Sequence, residues 1–238
     1  MPGLGTIINT AAIVVGGLLG LLFKNLLTKS MEDTLLKASS VCVLFIGIGG
    51  AMQHMLKITD GALETSGSMM LIICFVLGSI VGELLDIEGA FERFGAWLRK
   101  KTHNESDTGF LSAFIHASLT VCIGAMAIVG SIQDGLLGDS SLLCAKAALD
   151  AVIILVMTAS MGKGSIFSAI PVALLQGGVT LLSRVLAPVF TEAAIANLSY
   201  TGSVMIFCVG LNLVWGKKIK VANLLPTLVF AVLYALVF

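Results

Sequence analysis

The residues of this chain that could do chemistry are few, and they sit in apolar surroundings. Asp150 and Lys146 lie in LLCAKAALDAVIILVMTASMG, one helical turn apart and so on one face. An ionised carboxylate at that depth costs several kcal/mol unless it is paired, hydrated or protonated, roughly the scale of an intramembrane charge. Three roles fit the pair: an internal ion pair that fixes a bundle, a titrating carboxylate that binds a coupling proton or cation, or a snorkelling Lys146 above a wet Asp150. His116, within FLSAFIHASLTVCIG, suits either a proton relay or a hydrogen bond to a neighbouring helix. Asn9, Gln176 and Asn212 are neutral donors and acceptors that could hold a small polar solute or a dehydrated ion, or stitch helices together. These six residues are the candidate solute- or ion-binding set.

The elements that must position them follow from composition. Hydrophobic residues make up 57 % of the 238 residues and charged residues 12 %, with a mean hydropathy of +1.03. Soluble domains carry about twice that charge fraction. So apolar a chain needs the lipid bilayer as its solvent. The 14 basic and 14 acidic residues cancel, which argues against nucleic acid as a partner. The five cysteines have no CxxC spacing and read as small buried hydrophobes.

Intervals free of Asp, Glu, Lys and Arg run 1–23, 38–56, 65–82, 108–133, 164–183, 193–216 and 221–238, and the stretch 142–162 adds one that contains Lys146 and Asp150. Each is about long enough to cross a hydrocarbon core of roughly 30 Å as a helix. The expected fold is an all-α polytopic membrane protein of about eight transmembrane helices, with seven as the alternative. A porin-like barrel is excluded, since the runs do not alternate. The first stretch lacks a basic leader and a cleavage site, so it is expected to stay in the mature chain. Eleven of the fourteen basic residues fall in alternate loops, at 24–37, 93–101, 163 and 217–220. The positive-inside rule then places both termini on the outer side of the membrane.

The segment 5–27 resembles 165–186, aligning Gly16–Gly17 with Gly177–Gly178, and VLFIGIGG (43–50) resembles IFCVGLNL (206–213). Helices 1–3 thus match helices 6–8, in units 5–87 and 164–238 of a single membrane domain (1–238). An odd number of spans per unit inverts the second relative to the first, the arrangement that supports alternating access. Asn9 with Gly16–Gly17, and Pro171 with Gln176-Gly177-Gly178, mark expected irregularities in the paired helices. Elsewhere, glycines four residues apart, such as Gly16/Gly20 and Gly78/Gly82, make close-packing faces. Those faces read mostly as internal packing and also permit a homo-oligomer.

Between the units lie the central helices (108–162) and the segment 88–107. DIEGAFERFGAWLRKK reads as an interfacial helix with Phe91, Phe94, Trp97 and Leu98 on one side, followed by THNESD as a flexible linker. GSIQDGLLGDS (130–140) reads as a glycine-rich outer loop, either a plain hairpin or an acidic entrance carrying Asp134 and Asp139. Asn223 and Pro226 open the last helix, where a cap and a proline cost little.

GxxxxGK, HExxH and GxSxG are missing from the sequence. The expectation is therefore no enzyme, no cofactor and no metal. Energy for transport would come from an ion gradient or another subunit.

Three stretches carry a family resemblance: GTIINTAAIVVGGLLG, CIGAMAIVGSIQDGLLGDSSLLCAKAALDAVIILVMTASMGKG and VGLNLVWGKKIKVANLLPTLV. Together they resemble the domain-of-unknown-function family 554 of bacterial inner-membrane proteins, over 5–238. The resemblance implies the membrane class. It carries Asn9, Gly130–Gly135, Lys146, Asp150, Gly162, Gly210, Asn212, Asn223 and Pro226 as family-pattern residues without assigned roles. The expected function is a secondary transporter or ion-coupled permease for an unidentified small solute. A passive channel and a non-transporting scaffold or accessory subunit are the alternatives.

Overall fold

The computed structural model describes residues 2–24, 26, 28–59, 61–104, 107–123 and 125–237. Its helices are α1 (Leu4–Lys24), α2 (Lys29–Met55), α3 (Ser68–Leu85), α4 (Ile87–Lys101), α5 (Phe110–Cys122), α6 (Ala125–Leu137), α7 (Ser141–Met161), α8 (Ala169–Leu181), the short α9 (Ser183–Leu186), α10 (Glu192–Trp215) and α11 (Pro226–Val237). Short 3₁₀ turns at Lys163–Ser168 and Val221–Leu224 lead into α8 and α11. Among the described residues six helical segments are long and apolar enough to cross a membrane, or seven if the bent pair α5/α6 is one span; Val221–Val237 is shorter. Large apolar side chains such as Phe45, Ile72 and Leu181 point outward, as lipid permits and water does not. The chain is a multi-pass membrane protein.

Polar residues set the helix ends. Thr28 Oγ1 accepts from Met31 N, Thr191 Oγ1 from Ala194 N, and an Asp86 carboxylate oxygen from Gly89 N, each satisfying an orphan N–H of a first turn. Pro226 is the first residue of α11, where its missing N–H removes no intrahelical bond. One departure from an all-α fold is a hairpin, β1 (Leu56–Thr59) and β2 (Ala62–Thr65), paired antiparallel with Leu56 opposite Thr65.

Glycines decide how the helices meet. Gly16 and Gly20 of α1 lie against the backbone carbonyls of Ala151 and Leu155. The register rises together along α1 and α7, so these helices run parallel. Gly47 meets Phe207, Gly50 meets Ser203 and Gly210 meets Leu44, so α2 and α10 run antiparallel. Gly78 and Gly82 of α3 lie against Thr227 and Asn223, again antiparallel. Without a side chain, backbones approach closely, and dispersion replaces the hydrophobic drive that lipid cannot supply.

Several expectations change. α1 is unbroken from Leu4 to Lys24, and Pro171 sits third in α8, in a first turn that needs no N–H. Gly177 and Gly178 lie in the same continuous α8, facing open space. The break lies instead in the central span, where α5 and α6 meet at 60°. The stretch 130–137, expected as loop, is the second half of α6. Of the five cysteines expected to be buried, only Cys74 is; Cys122, Cys144 and Cys208 are half-buried and Cys42 is exposed. α4, expected as an interfacial helix, also packs on α5: Gly95 abuts Leu111 and Phe114, and the Phe94 and Phe114 rings lie 5.9 Å apart. In the expected linker, Thr102 and Asn104 N–H groups bond back to Leu98 and Arg99 carbonyls; residues 105 and 106 lie outside the described ones.

Gly82→Ala and Gly177→Ala separate packing glycines from free ones. A Cβ at Gly82 would run into the Asn223 carbonyl, and Gly82→Ala should cost about 1–3 kcal/mol through overpacking. Gly177→Ala should be neutral or stabilising by up to about 1 kcal/mol through helix propensity. Thermal unfolding of the two variants in detergent checks both signs.

Candidate functional site

The α7 face that meets α1 carries Lys146, Ala147, Asp150 and Ile154, all buried. The same stripe places Asp150 against Asn9 of α1, which has no exposed surface. Asn9 Nδ2 donates to Asp150 Oδ2 at 3.0 Å, and Lys146 Nζ forms an ion pair with the same oxygen. Lys146 Nζ also donates to the Val121 carbonyl at 2.8 Å. That carbonyl belongs to the last turn of α5, where helical carbonyls lose their intrahelical donors. The ammonium thus caps a helix C-terminus inside the bundle, where the helix dipole favours a cation. Three of the six candidate residues therefore meet at the α5/α6 break.

Removing each ion from water costs several kcal/mol, on the order of what a well-bonded pair regains. The cluster is held by its hydrogen bonds as much as by charge. Chemically it can pass a proton between a carboxylate and an amine, or release the α5 terminus if the pair opens.

His116 stands apart from this cluster. Its Nδ1 lies 2.8 Å from the Ser112 carbonyl and 3.2 Å from Ser112 Oγ. It lines a cleft of about 250 Å³ with Glu88, Glu92, Ser112, Asn212 and Lys217 among its walls. Lys217 pairs with Glu88 at 3.0 Å and with Glu92. Burial pushes the Lys217 ammonium down, but hydrogen bonds to Glu92 and Glu88 outweigh it and leave the group above the usual lysine range. The cleft's walls do not include Asp150; a mid-depth polar cavity touching Asp150 is not what the cleft provides.

Asn212 is spent on local structure. Its Oδ1 accepts from Lys218 N and Ile219 N, both at 2.9 Å, and its Nδ2 donates to the Ile219 carbonyl at 2.7 Å. All its bonds close the turn after α10, so it is a structural residue of the cleft wall. Gln176 is fully buried on α8, and neither amide atom has a partner.

Two features were hidden from residue-type reasoning. Asn223 does more than open a helix: its Oδ1 accepts from Glu88 N at 2.7 Å and its Nδ2 donates to Glu83 Oε2 at 2.6 Å. Beside it, Lys220 pairs with Glu83, and that bond holds the Lys220 ammonium above its usual range. Asp134, expected in a loop, is a fully buried residue of α6 whose Oδ2 accepts from Gly5 N at 3.0 Å. The i, i+3 spacing of Ser131 and Asp134 was its available signal.

Comparison with known proteins places these residues in a wider group. A family model described as "Protein of unknown function (DUF554)" matches residues 4–236. The chain is 26 % identical to the uncharacterized membrane protein YdfK of Bacillus subtilis (strain 168), over 94 % of this chain and 92 % of that one. It is 25 % identical to the uncharacterized protein YqgA of Escherichia coli (strain K12), over 96 % and 94 % of the two chains. No solved structure matches.

Lys146→Met would leave Asp150 buried with Asn9 as its remaining partner. It should cost about 3–5 kcal/mol, the usual penalty for stranding one ion of a buried pair. The double variant Lys146→Met/Asp150→Asn should recover part of that loss. A double-mutant cycle on unfolding in detergent measures both, and equal stability of the single and double variants would refute the pairing energy.

Proposed function

The chain belongs to this DUF554 family, and we propose that it is a secondary transporter, an ion-coupled permease for a small solute, in the bacterial inner membrane. The observation that carries the reading is the central span broken at 60° with Lys146, Asp150 and Asn9 at the break. Discontinuous spans are where such transporters place substrate and coupling-ion sites, because freed backbone groups and helix ends supply charge without side chains. Counting the bent pair and the 221–237 segment gives eight spans.

Helix pairing supports an inverted repeat of helices 1–3 and 6–8. Each helix of the first unit packs on its counterpart: α2 antiparallel to α10, α3 antiparallel to α11, and Gly17 of α1 against Ile166 at the entry to α8. Counterparts meeting antiparallel are what a pseudo-two-fold axis in the membrane plane generates. The basic loops gather at one end, where Lys217 and Lys220 reach Glu92 and Glu83 and where Lys24 lies near Gly162. By the positive-inside rule this end is cytoplasmic and both termini are outside. The His116 cleft then opens to the cytoplasm, and the closed Lys146–Asp150 pair is the occluded middle.

A non-transporting scaffold is the second reading. The pair's side chains are only 8 % and 5 % exposed, and a sealed pair is also what a structural bundle would contain.

Side-specific labelling tests the arrangement. In a variant whose five native cysteines are replaced, single cysteines at Lys24 and Arg184 should react with a membrane-impermeant reagent from opposite faces. Reaction from the same face removes the inverted repeat and the reason for proposing transport. Uptake into proteoliposomes under imposed proton and sodium gradients then separates transporter from scaffold. Asp150→Asn should lower coupled uptake at least about tenfold, as loss of a general acid–base group does; normal uptake by this variant rules out the coupling role.

A further inference from the structure

A further buried carboxylate, besides Asp150 and Glu88, lies toward the outer end of the bundle, and its surroundings are short of partners. Asp134 on α6 has no exposed surface. Its Oδ2 takes the Gly5 N–H of the α1 first turn, and its Oδ1 has no partner. Lys146 is engaged with Asp150, and Arg184 of α9 and Glu192 of α10 are exposed. Among the described residues no cation forms an ion pair with Asp134. The α1 N-terminus offsets about half a charge.

Four further buried polar side chains lie on α1, α6 and α8, which pack on one another around Asp134. Ser131 lies one turn before Asp134 on the buried face of α6. Gln176 and Thr180 lie one turn apart on the buried face of α8, and Gly135 lies against the Thr180 carbonyl and Ser183. Stepping back one turn on both helices, which run parallel here, brings Ser131 level with Gln176. Thr6 follows Gly5 on α1. The hydroxyls of Thr6, Ser131 and Thr180 and both amide atoms of Gln176 are buried without partners. Buried polar groups are nearly always satisfied, and six of the eleven unpartnered buried side-chain atoms among the described residues belong to Thr6, Ser131, Asp134, Gln176 and Thr180.

We infer that Asp134 Oδ1, Gln176 and the hydroxyls of Thr6, Ser131 and Thr180 form a binding site for one dehydrated alkali-metal cation, with Na⁺ as its probe. Neutral oxygens around a single carboxylate balance one positive charge. Among the described residues no three His, Cys, Asp or Glu side chains converge to hold a metal ion, so the donor set is hard and singly charged, which disfavours divalent and soft metals. Hydroxyl and carbonyl oxygens can replace the hydration shell that the ion sheds. In the transporter proposed above the site would hold a cation separately from the acid–base role given to Asp150. Cation binding is an equilibrium property, however, and is measured without any transport.

The test is thermal unfolding of the purified full chain in detergent, titrated with NaCl against choline chloride at constant ionic strength, together with direct ²²Na⁺ binding. A ligand of the folded state raises Tm in proportion to occupancy. Saturable Na⁺ binding with a rising Tm is expected, weakened at least about tenfold in Gln176→Leu, the scale of one lost polar contact. Asp134→Asn should abolish it, and Asp150→Asn should retain it. Because Asp134 also caps α1, Ser131→Ala and Gln176→Leu guard against misfolding as the explanation. Each removes an unpartnered polar group, so each should keep or raise the Na⁺-free Tm while weakening Na⁺ binding. A merely structural role would lower that Tm instead. The proposal is overturned if wild-type protein unfolds cooperatively with no response to Na⁺ beyond choline. It is equally overturned if Asp134→Asn or the Ser131→Ala and Gln176→Leu variants bind Na⁺ as wild type, or if Tm follows pH alone. Failure of uptake with intact Na⁺ binding would count against the transporter reading and leave this site standing.

Discussion

The Lys146 ammonium joins the three parts of the molecule that matter most for its middle. It caps the last turn of α5 through the Val121 carbonyl, neutralises Asp150 on its own helix, and through Asp150 ties α7 to Asn9 of α1. In lipid no water is at hand to finish a broken helix, so a span can stop halfway only where another part of the chain supplies the missing donors. The bend between α5 and α6 and the charged pair on α7 therefore require one another. An apolar residue at 146 would leave both a helix end and a carboxylate stranded.

The rest of the bundle is built so that this exchange of partners can happen at close range. Gly16 and Gly20 bring α1 onto the backbone of α7, which puts Asn9 within reach of Asp150. Gly78 and Gly82 do the same between α3 and the start of α11, which lets Asn223 reach Glu83 and the N–H of Glu88. Small residues thus bring together the backbones, and the polar groups on them complete each other's hydrogen bonds. At the basic end the Lys217 and Lys220 pairs with Glu88, Glu92 and Glu83 join the turn after α10 to α3 and α4. The Lys217 pairs with Glu88 and Glu92 form part of the wall of the His116 cleft.

The buried polar groups divide into those that are satisfied and those that are not. Asn212 and Asn223 have every amide function used, and both act as fasteners. Thr6, Ser131, Gln176 and Thr180 have none of theirs used by a hydrogen bond to another residue, and Asp134 has one oxygen open. Residue type does not separate these classes, since an asparagine in an apolar helix looks the same whether it closes a turn or waits for a ligand.

Much was legible from the sequence. Apolar runs of crossing length, the family resemblance, Pro226 as a helix opener and the glycine faces at 16/20 and 78/82 all depend on composition or on spacing along one helix. Such properties survive whatever the helix packs against. The Lys146–Asp150 pair is legible for the same reason, because four residues make one turn. What the tertiary structure decided was every question about a second element. Only packing shows that the central span, lacking proline, is the broken one while Pro171 and Gly177–Gly178 sit in an intact helix. Only packing turns the expected 130–140 loop into helix as far as Leu137, since the glycines at 130 and 135 lie against Leu143 and Ser183 and so favour close approach over a turn. Asp134 thereby moved from a solvated loop to a sealed interior. The physical reason is common to all three: in a bilayer a helix is kept or broken according to which neighbour completes its hydrogen bonds, and that neighbour is 25 to 141 residues away along the chain.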